Sequence, residues 1–347
     1  MDVAGSNGTK GGEKTMADVL WRKEGRVGRI TLTRERALNA LTLEMIRNLS
    51  AALEAWREDP QVHAVLIESA SERAFCAGGD IRAVREAALG GKWNDIETFF
   101  AEEYALNLAI ATYPKPYIAL IDGICMGGGI GISVHGTFRV ATEAARFAMP
   151  ETGIGFFPDI GASYILPRLP GALGYYLGLT GRILEGSDGV WAGFATHFVP
   201  RARLGALREA LVADGPAALA PFAEPLPPFS LAPVREVIDH AFAGPSLGEV
   251  LARLTASSHP FASETLALLR TRSPSSLFWS FDLLRRGAQS SLPRALEQEL
   301  ALTRRVVRHP DFAEGVRAMV VDKDRSPRWQ PAAIEEVDPL AIEKMFE

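Results

Sequence analysis

Short apolar runs alternate with longer stretches of helical periodicity along the first half of the chain, and glycine-containing turns follow several of the apolar runs. This alternation limits the fold more than any other feature. A chain that switches between a two-residue and a 3.6-residue apolar period builds strands backed by helices, an α/β architecture with its site at the strand ends. Residues 19–23 and 26–33 read as two strands around Glu24-Gly25, a tight hairpin. Leu43, Ile46, Leu49, Leu53 and Trp56 then recur at helical spacing, with Thr42 placed to cap the first turn and Asp59-Pro60 to end the helix. A buried strand at 62–68 leads into the loop Phe75-Cys76-Ala77-Gly78-Gly79-Asp80. Helical patterns follow at 81–88 and 93–111, closed by Pro114 and Pro116. The unit repeats with a strand at 117–121, the turn Gly127-Gly128-Gly129 and a short helix to Val134. It repeats again with strands at 137–141 and 147–149 and a helix at 172–179.

From about Leu204 the composition changes to Ala, Leu, Arg and Pro, with helical periodicity at 232–243, 247–256, 263–272 and 295–307 beyond a Pro-rich stretch at 216–228. At ~100–200 residues per domain, 347 residues allow one large domain or two modest ones. The expected layout is a disordered leader at 1–16, an α/β core at 17–203 and a helical C-terminal region at 204–347. The leader is Gly-rich and polar, without an apolar or Arg-rich targeting pattern, and Met16 is an alternative start. A cytoplasmic compartment is therefore expected.

Charge and cysteine usage remove several functional classes. Lys plus Arg total 37 and Asp plus Glu 42, so the net charge is 37 − 42 = −5, and no window concentrates the basic residues that nucleic acid or an anionic membrane requires. The most apolar stretch, residues 117–134, is interrupted by Asp122 and weakened by glycines, so it reads as strand, turn and helix start rather than a membrane span. Cys76 and Cys125 cannot form a disulfide framework and read as small buried hydrophobes. The histidines show no zinc-ligand spacing, and no metal site is expected.

The glycine turn at 127–131 fails the phosphate-loop pattern, because Ile132 stands where Lys would follow, and it misses the last glycine of a dinucleotide fingerprint. Ser133 fails as a nucleophile elbow, because His135 occupies the final glycine position. Two loops remain, 75–79 and 126–129, whose small residues let a ligand approach main-chain N–H groups. They are either a pair of donors for a polarised carbonyl oxygen or ordinary tight turns. Glu151 and Asp159 lie in an otherwise apolar, Gly-rich segment. They are either desolvated acids suited to general acid, base or nucleophile work or surface charges on a solvated loop.

Taken in order and spacing, Ala77-Gly78-Gly79-Asp80, Met126-Gly127-Gly128-Gly129 and Pro150-Glu151-Thr152 resemble the enoyl-CoA hydratase/isomerase (crotonase) superfamily over roughly residues 20–199. The resemblance implies a spiral of strand-strand-helix repeats, a CoA-thioester ligand and an oxyanion hole from the N–H groups of Ala77 and Gly128. Hydratases of the superfamily carry two catalytic glutamates. Glu151 retains one, and the other position, two residues past the triple glycine, is Gly131 here. The run FAMPETGIGFFPDIGASYILPRLPG, together with Glu102-Glu103-Tyr104, residues 133–136, 193–199 and 273–277, and Glu314-Gly315-Val316-Arg317 with Asp322-Lys323-Asp324, is similar to the superfamily's thioester hydrolases. These motifs extend the resemblance into the helical region. They imply hydrolysis of a short 3-hydroxyacyl-CoA, 3-hydroxyisobutyryl-CoA in valine catabolism being the expected substrate. Glu151 is then the principal catalytic carboxylate, Asp159 its partner near the acyl group, and Glu103, Gly128 and Ala77 contact the substrate. No cofactor is expected, coenzyme A being part of the substrate. The expected partner is the acyl-CoA itself, without nucleic acid or membrane, in a possible homo-oligomer. An enoyl-CoA hydratase and a non-catalytic acyl-CoA-binding protein of the same fold are the alternatives.

Overall fold

Val19–Glu24 (β1) and Val27–Leu32 (β2) pair antiparallel and close over Gly25-Arg26. The computed structural model of the chain describes residues 18–347, so the expected leader at 1–16 lies outside the described residues. Thr42 caps helix α1 (Leu43–Arg57), its Oγ1 accepting the Met45 N–H at 3.2 Å, and the helix buries the stripe of Ile46, Leu49, Leu53 and Trp56 that its spacing predicts.

The chain then winds as a spiral. Strand β3 (Ala64–Ser69) is followed by short β4 (Ala74–Cys76) and helices α2 (Ile81–Leu89) and α3 (Trp93–Ala111). Strand β5 (Tyr117–Ile121) is followed by β6 (Ile124–Met126) and helix α4 (Gly128–Val134), then β7 (Phe138–Ala141), β8 (Arg146–Ala148), β9 (Leu184–Glu185) and β10 (His197–Phe198). The long strands form a sheet ordered β1-β2-β3-β5-β7-β10, parallel beyond the hairpin, and the short ones a second sheet ordered β4-β6-β8-β9. The alternation expected from the sequence is this strand-strand-helix spiral.

Alternate residues of the long strands enter two apolar clusters. Val65 and Ile67 face the main core, whereas Ala64 and Leu66 face a smaller cluster with Leu207 and Leu211 of helix Arg201–Asp214. That helix covers the outer face of the large sheet, and the expected boundary at 203/204 falls inside it. The later helices, among them Pro274–Gly287 and Leu292–Val306, send Leu277, Trp279, Leu284 and Val306 into the same core that Ile30 and Ile67 occupy.

The small sheet places the site. Its strands β4, β6 and β8 run parallel, with Cys76 beside Cys125 and Met126 beside Ala148, so the turns that follow them leave the sheet at one edge. Those turns carry Ala77 to Asp80, Gly127-Gly128 and Glu151.

Candidate active site

The first turn is pinned by Leu41, whose N–H donates to Gly78 O and whose carbonyl accepts the Asp80 N–H, both at 2.8 Å. Gly78 and Gly127 adopt φ of +113° and +48°, a region in which a side chain would strain the backbone. The expected donor pair needs one correction. The Ala77 N–H is already spent on Leu38 O at 3.0 Å, so it is not available to a ligand. Among the described residues, the N–H groups of Gly79 and Gly128 donate to no other group. A Cβ placed on Gly128 would lie 3.2 Å from Gly79 N, so the two amides flank one small gap, with Gly128 at the positive end of α4.

Three carboxylates close round this gap. Glu103, Glu151 and Asp159 are 2%, 6% and 5% exposed, and all three line one partly open pocket together with Ala77, Gly79 and Gly128. The five residues expected at the site are therefore brought together, Ala77 as wall rather than donor. A Cβ on Gly128 would overlap Glu103 Oε1, and one on Gly127 would lie 2.9 Å from Glu151 Oε1. Glu103 Oε1 and Glu151 Oε2 are buried without a hydrogen-bond partner. Asp159 Oδ2 accepts the Tyr104 hydroxyl at 2.7 Å. Phe99, Phe100, Phe156 and Ile154 supply an apolar wall, with Phe100 stacked on Phe156 at 5.5 Å.

Burial and mutual repulsion set the charge of this cluster. Desolvation first, then the Asp159 charge, pushes the Glu103 and Glu151 carboxyls well above the usual carboxylate range. Asp159 is pushed up to about 7 by burial, against the lowering effect of the Tyr104 hydroxyl. The three acids hold fewer than three negative charges near neutral pH, leaving protons available for acid–base work.

Gly131 explains the missing second acid. A Cβ there would lie 2.9 Å from Asn107 Nδ2 and 2.9 Å from Ile160 Cβ, so Asn107 and Ile160 occupy the space a longer side chain would need. Gly131→Glu is expected to cost about 1–3 kcal/mol through overpacking alone, and to gain no hydration of an enoyl thioester. A thermal melt and an enoyl-absorbance assay check both, and an active hydratase with an unchanged melting temperature would contradict the packing argument.

Residues 27–346 match the family model described as Enoyl-CoA hydratase/isomerase. The chain belongs to the enoyl-CoA hydratase/isomerase family. Among its members, a 3-hydroxyisobutyryl-CoA hydrolase, mitochondrial, of Danio rerio is 44% identical over 96% of this chain and 90% of its own length. The Gallus gallus protein of the same description is 45% identical over 95% and 89%. A solved structure described as a carnitinyl-CoA dehydratase from Mycobacterium thermoresistibile superposes with a TM-score of 0.91 at 41% identity, covering 96% of this chain and 97% of that one. Both curated relatives are described as mitochondrial, which overturns the cytoplasmic compartment expected from the leader's composition.

Two groups carry no local signal in the sequence. The free N–H of Gly79 depends on the register of its turn, which is decided by the Ala77 bond to Leu38 O, far away in sequence. Glu299, behind Asp159, sits in a helix whose amphipathic pattern is unremarked by its single inward acid.

Proposed function

We propose that the protein hydrolyses a short 3-hydroxyacyl-CoA thioester, 3-hydroxyisobutyryl-CoA foremost, to the hydroxy acid and free CoA. The observation that carries this reading is the Glu151 carboxylate, its Oε2 buried without a partner, in one cavity with two uncommitted amides, while Asn107 and Ile160 close the second acid position. The curated relatives' descriptions as hydrolases agree with it.

In the proposed reaction the thioester carbonyl oxygen enters the gap between the Gly79 and Gly128 N–H groups, which stabilise the charge that develops as the carbon becomes tetrahedral. Glu151 drives the attack on the carbonyl carbon by one of two routes. As nucleophile it displaces CoA thiolate and leaves an anhydride that water opens; as general base it takes a proton from the water that attacks. Single turnover in 18O-labelled water separates the routes, because only the anhydride route allows label to enter Glu151. Asp159 accepts the 3-hydroxyl of the acyl chain, and Phe99, Phe100 and Phe156 exclude bulk water. The route draws on no cofactor, coenzyme A being carried by the substrate.

The competing reading is a hydratase or dehydratase, the activity in the description of the solved relative. Two assays decide. With 3-hydroxyisobutyryl-CoA, free thiol is expected in step with the hydroxy acid. With the corresponding unsaturated thioester, the conjugated absorbance is expected to persist. Loss of that absorbance without thiol release would overturn the hydrolase.

A further inference from the structure

Asp159 stands on a backbone turn that its own residues disfavour. Ile160 adopts φ +59°, a conformation that a β-branched side chain holds only where its surroundings enforce it. The enforcing contacts come from three directions. His135 Nε2 donates to Ile160 O at 2.8 Å. Tyr104 of α3 donates to Asp159 Oδ2 and lies 3.1 Å from Thr303 Oγ1. Glu299, on helix Leu292–Val306, accepts the Gly161 N–H at 2.7 Å on one oxygen, and the Ser163 N–H at 3.0 Å and hydroxyl at 2.5 Å on the other.

Glu299 is the unusual member. Its side chain is fully buried, and among the described residues it pairs with no Lys, Arg or His; its hydrogen-bond donors all lie within residues 161–163. Thr303, one turn on, donates to Glu299 O at 2.9 Å and packs its Oγ1 against the Tyr104 hydroxyl. A buried carboxylate without a cation is costly unless donors satisfy it, and here both oxygens are used to fix Gly161 and Ser163, just beyond the strained Ile160.

We propose that Glu299 is the positioning residue of this site: by clamping Gly161 and Ser163 it holds the Asp159 carboxylate toward the acyl chain and so sets the preference for a 3-hydroxylated substrate. The proposal rests on the reading that Asp159 accepts the substrate hydroxyl. It makes the C-terminal helices part of the specificity apparatus, although no residue of Leu292–Val306 lines the cavity.

The test measures kcat/KM for 3-hydroxyisobutyryl-CoA and for isobutyryl-CoA, which lacks the hydroxyl, in four full-length proteins: wild type, Asp159→Ala, Glu299→Gln and Ser163→Ala. Wild type is expected to favour the hydroxylated thioester by at least about tenfold, because a site built to pair a substrate hydroxyl discriminates against its absence. Asp159→Ala and Glu299→Gln are expected to bring the ratio close to one, and Ser163→Ala to an intermediate value. Ser163→Ala removes one of the clamp's bonds and leaves the others, so it carries the test if Glu299→Gln does not fold. A loss of preference in Asp159→Ala with the wild-type ratio kept in Glu299→Gln or Ser163→Ala, both substrates falling equally, overturns the clamp alone. A wild type without preference overturns the Asp159 reading and the clamp with it, and a wild type that releases no thiol overturns the hydrolase.

Discussion

Glu151→Gln is expected to lower kcat for thioester hydrolysis by about 10²–10⁴-fold, the usual effect of removing a positioned acid–base group, while the fold is kept or strengthened. The stability half of this expectation follows from the charge state. Burial and the neighbouring acids raise the Glu151 carboxyl well above its ordinary value in the folded protein. A group raised in this way contributes stability that is fully present below the unfolded value, near 4.5, and is lost as pH rises through the folded value. At pH 8, well above the unfolded value, folding must either bury this charge or take up a proton, and both oppose folding; glutamine, which has nearly the same shape and no charge, faces neither cost. The melting temperature of Glu151→Gln relative to wild type is expected to rise between pH 5 and pH 8. Thiol release and thermal melts at both pH values check the two halves separately. Near wild-type turnover would remove Glu151 from the chemistry, and a melting difference independent of pH would show that its carboxyl is not desolvated.

Gly128→Ala is expected to cost about 10²–10³-fold in kcat/KM, as much as losing one oxyanion donor would, because alanine keeps the N–H but its methyl obstructs the gap that the carbonyl oxygen enters. The added methyl would overlap Glu103 Oε1 and stand 3.2 Å from Gly79 N, inside the gap where the carbonyl oxygen has to sit. The backbone tolerates it: Gly128 opens α4 without a positive φ, and alanine is the better helix former. Loss of activity should thus come with the secondary structure kept, the end of the Glu103 side chain shifting to make room, seen as an unchanged circular dichroism spectrum. Retention of activity within about threefold would place the carbonyl elsewhere.

Much of this architecture is legible in the sequence, and what is hidden has physical causes. The stripe on α1, the cap at Thr42 and the apolar run at β5 are local signals read at their true positions, and β3, expected at 62–68, begins two residues later and ends one later. Strand β6 spans only Ile124–Met126, too short for a period to register, and it owes its existence to pairing with β4 and β8. Helix Pro274–Gly287 shows no apolar stripe because Ser275, Ser276 and Ser280 are buried along with Leu277, Trp279 and Leu284. A helix buried over most of its surface, with exposed charge confined to Arg285 and Arg286 in its last turn, has little polar face to reveal it. At the site, Glu151 and Asp159 stand out because charges are rare in their segment. Glu299 does not, since one acid inside a charged amphipathic helix looks like its exposed neighbours Glu297 and Arg294. Chemistry that depends on which amide is free, Gly79 rather than Ala77, becomes visible only with the three-dimensional hydrogen bonds.

The clamp on Asp159 also bears on how the chain is made. Glu299 lies 299 − 159 = 140 residues after the carboxylate it holds, an interval of roughly 7–28 s at a synthesis rate of about 5–20 residues per second. During that interval the nascent chain adds β9 and β10 to the strands it already has, but it still lacks the helix that fixes its acidic turn. The catalytic pocket is thus among the last features the ribosome allows to form, and a newly emerging chain must be shielded from aggregation before it has any activity to contribute.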